Sequence, residues 1–205
     1  MKIVIATRNR HKAVELQTLL HGAGYDAVQL DEIDPDGKIP EVEETGTTFK
    51  ENALLKAHAI AKATGLPSVA DDTGLEVDAL GGAPGIFSAR YAGENCTYED
   101  NVKKLLRELS DVADDRRTAH FKTVAVYVHK ETELSAEGVV EGVITEKAEG
   151  FGGFGYDPVF SVLDMKKTYA QLADEEKNRV SHRGKAIRSL IEKLRENGLI
   201  ADNPS

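Results

Sequence analysis

Two stretches of this sequence put a basic residue in the opening turn of a helix, and an acidic pair lies between them. The first is Ile3-Val4-Ile5-Ala6 running into Thr7-Arg8-Asn9-Arg10-His11-Lys12. The second is Ser181-His182-Arg183-Gly184-Lys185. The acidic pair, Asp71-Asp72, follows the apolar run Ser68-Val69-Ala70. Cations at a helix N-terminus grip phosphate, and carboxylates at a strand end hold a metal. Together these residue types predict a site for a polyphosphate and a magnesium ion.

The last helix shows its facing most clearly. Ala186, Ile187, Leu190, Ile191 and Leu194 form one apolar stripe, and Arg183 lies four residues before Ile187, extending that stripe into the first turn. The plain alternative is a snorkelling arginine at the end of the stripe. Lys12 repeats the pattern, four residues before Leu16 and seven before Leu19. Free backbone N–H groups and the helix dipole should add to each cation's pull on an anion.

Asp71-Asp72 comes directly after a strand, where adjacent residues point different ways, so one carboxylate can face the edge of the sheet and the other the core or a cleft. The competing reading of Asp71-Asp72-Thr73-Gly74 is an Asx turn with a positive φ at Gly74. Glu44 is a second candidate metal ligand, while Glu41 and Glu43 read as a solvated acidic loop. Asn52 and Lys56 lie one helical turn apart, and composition alone makes them an exposed pair.

Gly150-Phe151-Gly152-Gly153-Phe154-Gly155 fits G-x-G-x-x-G, but the dinucleotide fingerprint must follow a strand and open a helix. Here Tyr156-Asp157-Pro158 follows, and proline disfavours helix in the residue before it. The loop is expected to present an aromatic ring for stacking on a flat base, with a plain turn as the alternative. The P-loop, H-E-x-x-H and G-x-S-x-G patterns are absent, and the six histidines lack zinc-like spacing.

These residues need elements to position them. Residues 2–6 read as a buried strand, followed by a helix to about Leu20 that Gly22 and Gly24 close. Asp31 to Glu44 reads as an acidic loop. Thr48 and Glu51 have capping-box spacing at the start of a helix that ends at Gly65-Leu66-Pro67. Ser68–Ala70 is a strand, with a second one over Gly74–Leu80. Gly81 to Gly85 is a turn, and Tyr98 to Leu109 is helical. Phe121–His129 and Val139–Ile144 form a hairpin. A short helix is expected over Thr168–Lys177, and the last runs from after Ser181 to Gly198. The order predicts an α/β fold on a mixed sheet.

The 205 residues suffice for one domain with a substantial core, in two lobes. With 40% hydrophobic and 30% charged residues the composition is that of a globular protein. A net charge of -9 opposes sequence-independent binding to DNA or RNA, though a local lysine cluster can still take a nucleotide. Cys96 is the one cysteine, which excludes an internal disulfide and suits a reducing compartment. The apolar run before Arg8 is too short for a signal peptide, and no stretch reaches the roughly 18 apolar residues of a membrane span. A cytoplasmic location is expected.

Six motifs, in order, carry a resemblance: Thr7 to Lys12, Glu43-Glu44-Thr45-Gly46, Asp71 to Leu75, Gly81 to Gly85, Phe154 to Pro158 and Ser181 to Gly184. The chain resembles the inosine triphosphate pyrophosphatase family, also called the HAM-like or XTP/dITP diphosphatases, from about residue 2 to residue 197. These are house-cleaning enzymes that remove deaminated purine nucleotides. The resemblance implies an elongated mixed β-sheet flanked by helices, two lobes with the active-site cleft between them, and a homodimer. One domain over residues 1–200 and a tail over 201–205 follow.

The resemblance also implies roles. Thr7, Asn9 and Lys12 match the phosphate-binding segment, and Arg8, Arg10 and His11 lie within it as further substrate-binding candidates, with Arg8 and His11 either adding charge near the phosphates or pointing away. Glu44 and Asp72 match the magnesium-linked carboxylates, with Asp72 as proton acceptor. Asn52 and Lys56 match a helix that faces the triphosphate, against the exposed reading above. Thr73 matches a substrate-contacting hydroxyl, usually serine. Phe154, Gly155, Tyr156, Asp157, Lys177, His182 and Arg183 match the base and sugar end of the pocket. The family usually has glycine or another small residue at Arg8 and often glycine at His11.

The implied activity is hydrolysis of dITP, ITP or XTP to the monophosphate and pyrophosphate. A Maf-type pyrophosphatase and a non-catalytic nucleotide sensor stand as alternatives. His182-Arg183 opposes the first, and the set of Glu44, Asp72 and Lys56 opposes the second.

Overall fold

A computed structural model describes residues 2–199 of the chain, so the expected tail at 201–205 lies outside the described residues. Strand β1 (Lys2–Ile5) buries Ile3, Val4 and Ile5 completely. It lies parallel to β2 (Asp26–Gln29) on one side and to β3 (Ser68–Val77) on the other. A parallel strand covered on both faces needs an unbroken apolar run, and Ile3-Val4-Ile5 supplies it. Helix α1 (Arg10–Gly22) makes the crossover from β1 to β2.

The sheet has seven strands in the order β2-β1-β3-β4-β5-β6-β7, with β4 at Thr118–His129, β5 at Thr132–Ile144, β6 at Phe160–Val162 and β7 at Lys167–Thr168. Strand β6 is antiparallel to both β5 and β7, so the sheet is mixed as expected. The helices after α1 are α2 (Leu30–Ile33), α3 (Phe49–Thr64), α4 (Tyr98–Glu108), α5 (Asp174–Val180) and α6 (His182–Glu196). Among the described residues no helix is long and apolar enough to cross a membrane.

The chain forms two compact units. Among the described residues, one holds 2–72, Thr123–Gly138 and 183–199; the other holds Thr73–Lys122 and Val139–His182. The first has its own core, in which Ile3, Ile5, Leu16, Leu20, Tyr127, Ile187 and Leu190 are buried. The second packs Leu75, Leu105, Leu109, Phe121, Phe160 and Tyr169. The stripe read from α6 faces the first of these cores, so Leu190→Ala should cost about 2–5 kcal/mol.

Four expectations need correction. Ser68–Ala70 and Gly74–Leu80 are not two strands but the single ten-residue β3, so Asp71-Asp72 lies within a strand and not at its end. Gly74 is not among the positive-φ glycines, which removes the Asx-turn reading. The helix expected over Thr168–Lys177 is split. A 3-10 turn at Tyr169–Gln171 has the capping box at Thr168, and Leu172 and Ala173 are extended before α5 begins. The acidic loop expected from Asp31 contains most of α2, whose Glu32 side chain accepts the Gln29 N–H at 2.9 Å.

Candidate functional site

In the first unit, Thr7 closes β1 and its hydroxyl accepts the Asn9 N–H at 3.1 Å. Asn9 then caps α1, with its Oδ1 accepting the N–H groups of His11 at 3.1 Å and Lys12 at 3.2 Å. Those two amides are therefore engaged by a side chain, contrary to the expectation that they are free for an anion. Arg10 and His11 are exposed on the opening turn, while the Lys12 side chain is largely buried.

Arg8 turns toward the segment that follows β2. Its guanidinium donates to Asp31 Oδ1 at 3.2 Å, to Asp34 Oδ2 at 2.7 Å and to the Ile39 carbonyl at 3.0 Å. Asp34 in turn accepts the N–H groups of Lys38 at 2.8 Å and Ile39 at 2.9 Å. The Ile39 amide, joined by Arg8 and the Lys38 amide, holds the Asp34 carboxyl below the ordinary carboxylate range.

Strand β3 carries the acidic pair, and its alternation sends the two carboxylates apart. Asp71 accepts from Arg183 Nε at 3.1 Å, and Lys12 Nζ lies 3.6 Å from the same oxygen. Arg183 Nη1 also donates to Glu15 of α1. Asp71 and Arg183 are both nearly inaccessible, at 1% and 2% exposure, so this group is a buried ion network. Glu15 went unnoticed in the sequence. Its signal was there: it stands one turn after Lys12 on the same helix face.

Asp72 meets α3. Lys56 Nζ lies 3.3 Å from Asp72 Oδ1 and 2.7 Å from Glu44 Oε1, and Asn52 Nδ2 donates to Asp72 Oδ2 at 3.4 Å. Asn52 is fully buried and the Lys56 side chain is 13% exposed, which overturns the exposed reading of the pair. Asn52 Oδ1 also accepts the Gly46 N–H at 2.8 Å. A Cβ at Gly46 would stand 2.7 Å from that oxygen and 3.0 Å from the Asn52 nitrogen, so only glycine lets the Glu44 loop seat on α3.

Burial dominates the titration of these groups. It raises the Asp72 carboxyl above its ordinary value, against the opposing pull of Lys56 and Lys12. Burial pulls the Lys56 ammonium down, but Asp72, Glu44 and Asp71 together outweigh it and leave its pKa raised. Lys12 is lowered by burial, with Lys56 and Arg183 pushing the same way against Asp71. The result is a poised carboxylate beside ammonium groups, which suits proton acceptance near polyanions.

Glu44 and Asp72 converge on one cationic position, where Lys56 sits. Among the described residues there is no group of three His, Cys, Asp or Glu side chains that would enclose a metal. Two carboxylates with the rest of the shell from phosphate and water is the usual binding of magnesium. The donor set therefore fits that ion.

The second unit holds the other residues. Asp157 Oδ2 accepts the Phe154 N–H at 2.8 Å and Lys177 Nζ at 2.8 Å, and the buried Lys177 stands 4.9 Å from the centre of the Phe154 ring. Tyr98, missed by the sequence reading, lies with its ring 6.0 Å from that of Phe154. Gly155 has a φ of 63°, and no helix follows the glycine loop, so the G-x-G-x-x-G match is a decoy as expected. Tyr156 is buried and its hydroxyl donates to the Ser88 carbonyl at 2.9 Å. His182 is also buried, stacked on Phe121 at 4.5 Å with Nδ1 3.4 Å from the Tyr169 hydroxyl. Thr73, the first residue of this unit, is half-buried.

The order of these residues along the chain matches a known pattern: the sequence profile described as the Ham1 family fits residues 3–193. This chain belongs to the Ham1 family. A relative from Salmonella typhimurium, called dITP/XTP pyrophosphatase, is 53% identical over 197 residues, covering 95% of this chain and 98% of the relative. One of the same name from Escherichia coli is 51% identical over the same shares. Among solved structures, the Staphylococcus aureus Ham1 protein aligns with a TM-score of 0.83 at 42% identity, over 96% of this chain and all of that one. A HAM1 protein from Coxiella burnetii aligns with a TM-score of 0.84 at 41% identity, over 96% and 99%.

Proposed function

We propose that this protein hydrolyses the deaminated purine nucleoside triphosphates dITP, ITP and XTP to the monophosphate and pyrophosphate; relatives more than half identical to it are called dITP/XTP pyrophosphatases. The observation that carries the reading is the buried Asp72 with its raised carboxyl pKa, beside a Lys56 that also pairs with Glu44.

Water attacks the α-phosphorus, the bond to the bridging oxygen breaks, and pyrophosphate leaves. Asp72 orients that water and takes its proton. Lys12 and Lys56 neutralise the departing pyrophosphate, the electrostatic role on which phosphoryl chemistry chiefly depends. Thr7 and Asn9 shape the turn that offers Lys12, and Asn52 fixes the Asp72 carboxylate. Glu44 and Asp72 would hold a magnesium ion, which when bound supplies charge neutralisation of the phosphates.

Phe154 is the stacking surface for the base, held by the Asp157–Lys177 pair. His182 and Arg183 donate hydrogen bonds to the 6-oxo group. Adenine carries an amino group there, so donor would face donor, and a buried polar site can reject such a partner by about 10⁴-fold or more. The protein acts as a homodimer in the cytoplasm, a compartment that suits its lone Cys96.

The test is pyrophosphate release from ITP, dITP, XTP, GTP, ATP and UTP, with magnesium and with EDTA. Fast release from the first three, lost in EDTA, is the expected result. Preference for UTP would favour the Maf-type reading, and no release from any substrate would favour a sensor. Sedimentation of the purified protein tests the dimer.

A further inference from the structure

Arg8 stands in the middle of the first motif, yet its three hydrogen bonds all run to Asp31, Asp34 and Ile39. Asp34 is only 7% exposed and ties its two oxygens to Arg8 and to the Lys38 and Ile39 amides. The chain leaves this knot at Ile39 and five residues later reaches Glu44, which pairs with Lys56 at 2.7 Å. Just beyond, the Gly46 N–H is held by Asn52. The Glu44 loop is thus pinned at both ends: by Arg8 and Asp34 before it, and by Asn52 after it. Between the pins residues 40–45 form neither helix nor strand.

We infer that Arg8 and Asp34 are positioning residues, a clamp that fixes the Glu44 loop and so sets the affinity for the divalent cation. The physical reason is entropic. A carboxylate on an unpinned loop must be ordered when it binds the ion, whereas a clamped one has already lost that freedom. A guanidinium that bridges Asp31, the buried Asp34 and the Ile39 carbonyl is also a joint of three contacts, which a lysine does not reproduce. The inference rests on the reading of Glu44 and Asp72 as the cation's ligands.

The probe is Mn2+, titrated by electron paramagnetic resonance into wild type, D34N, R8A, R8A/D34N and E44Q, each with a non-hydrolysable α,β-imido ITP analogue. Groups that hold a metal ligand in place typically change affinity by about 10- to 100-fold. D34N and R8A should each weaken Mn2+ about tenfold, at the lower end of that range. The double variant should be no weaker than the worse single one, because both residues belong to one joint. Hydrogen exchange over residues 40–45 should rise in both single variants.

If E44Q weakens Mn2+ while D34N does not, the clamp is wrong and the metal reading stands. If E44Q has no effect, the metal reading fails and takes the clamp with it. A fall in melting temperature with unchanged Mn2+ affinity makes the joint merely structural and overturns the inference. Lost nucleotide affinity in R8A, with D34N silent, would instead make Arg8 a phosphate ligand.

Discussion

Asp71 and Asp72 are consecutive in β3, and they pair with different cations. Asp71 takes Arg183 at 3.1 Å and Lys12 at 3.6 Å, while Asp72 takes Lys56 at 3.3 Å. The alternation of a strand is what separates them. It gives one carboxylate to a buried ion network and leaves the other beside the Glu44–Lys56 pair. The two should therefore fail differently when neutralised.

Asp72→Asn should abolish turnover while leaving nucleotide binding largely intact. General-base assistance is typically worth about 10²–10⁴-fold, and loss of a metal ligand adds to it. Retention of more than about a tenth of wild-type kcat would remove Asp72 from the proton-accepting role. Asp71→Asn should instead remove the carboxylate that Arg183 and Lys12 share, and breaking a buried pair costs up to about 3–5 kcal/mol even though Glu15 still pairs with Arg183. Urea denaturation of both variants separates the two outcomes: Asp71→Asn should lose much the more stability.

Lys56→Ala should lower kcat/KM for triphosphates by about 10- to 150-fold, the equivalent of a charge-assisted hydrogen bond of about 1.5–3 kcal/mol. Its ammonium is held protonated by Asp72 and Glu44, so it is available as a cation across the neutral pH range. Unchanged kinetics would leave the lysine with a purely structural pairing role.

Arg183→Ala should reduce ITP and XTP turnover far more than the poor reaction with ATP. If the guanidinium donates to the 6-oxo atom, the preference over ATP should shrink by about 1.5–3 kcal/mol. Arg183 also pairs with Asp71 and Glu15, so the assay is run at a temperature where circular dichroism shows the variant folded. An equal loss for ITP and ATP would move Arg183 from the base to the phosphates.

Gly153→Ala tests the base-stacking loop. Gly153 has a φ of 72°, and an added Cβ would stand 2.1 Å from Asp157 Oδ2, the atom that accepts from both Phe154 and Lys177. The substitution should raise KM for ITP with a smaller effect on kcat, since the platform binds the base and not the reacting phosphorus. A wild-type KM would mean that Phe154 does not carry the base.

Much of this protein was legible in the residue order. Capping chemistry at Thr48–Glu51 and the stripe from Ala186 to Leu194 are local signals, and the structure places α3 and the face of α6 accordingly. Tyr156-Asp157-Pro158 likewise marked the glycine match as a decoy, because proline disfavours helix in the residue before it, and no helix follows the loop. What the sequence could not decide were pairings between residues far apart in the chain. Asn52 and Lys56 look solvated because helical periodicity is blurred by the alanines around them, and only the docking of α3 beside β3 buries them. Nothing local pairs Arg183 with Asp71 across 112 positions, or Arg8 with Asp34. A charge is cheap to leave in water and costly to bury alone, so its true partner is chosen by the fold that removes the water. Local propensity wrote the elements; tertiary packing decided which charges meet.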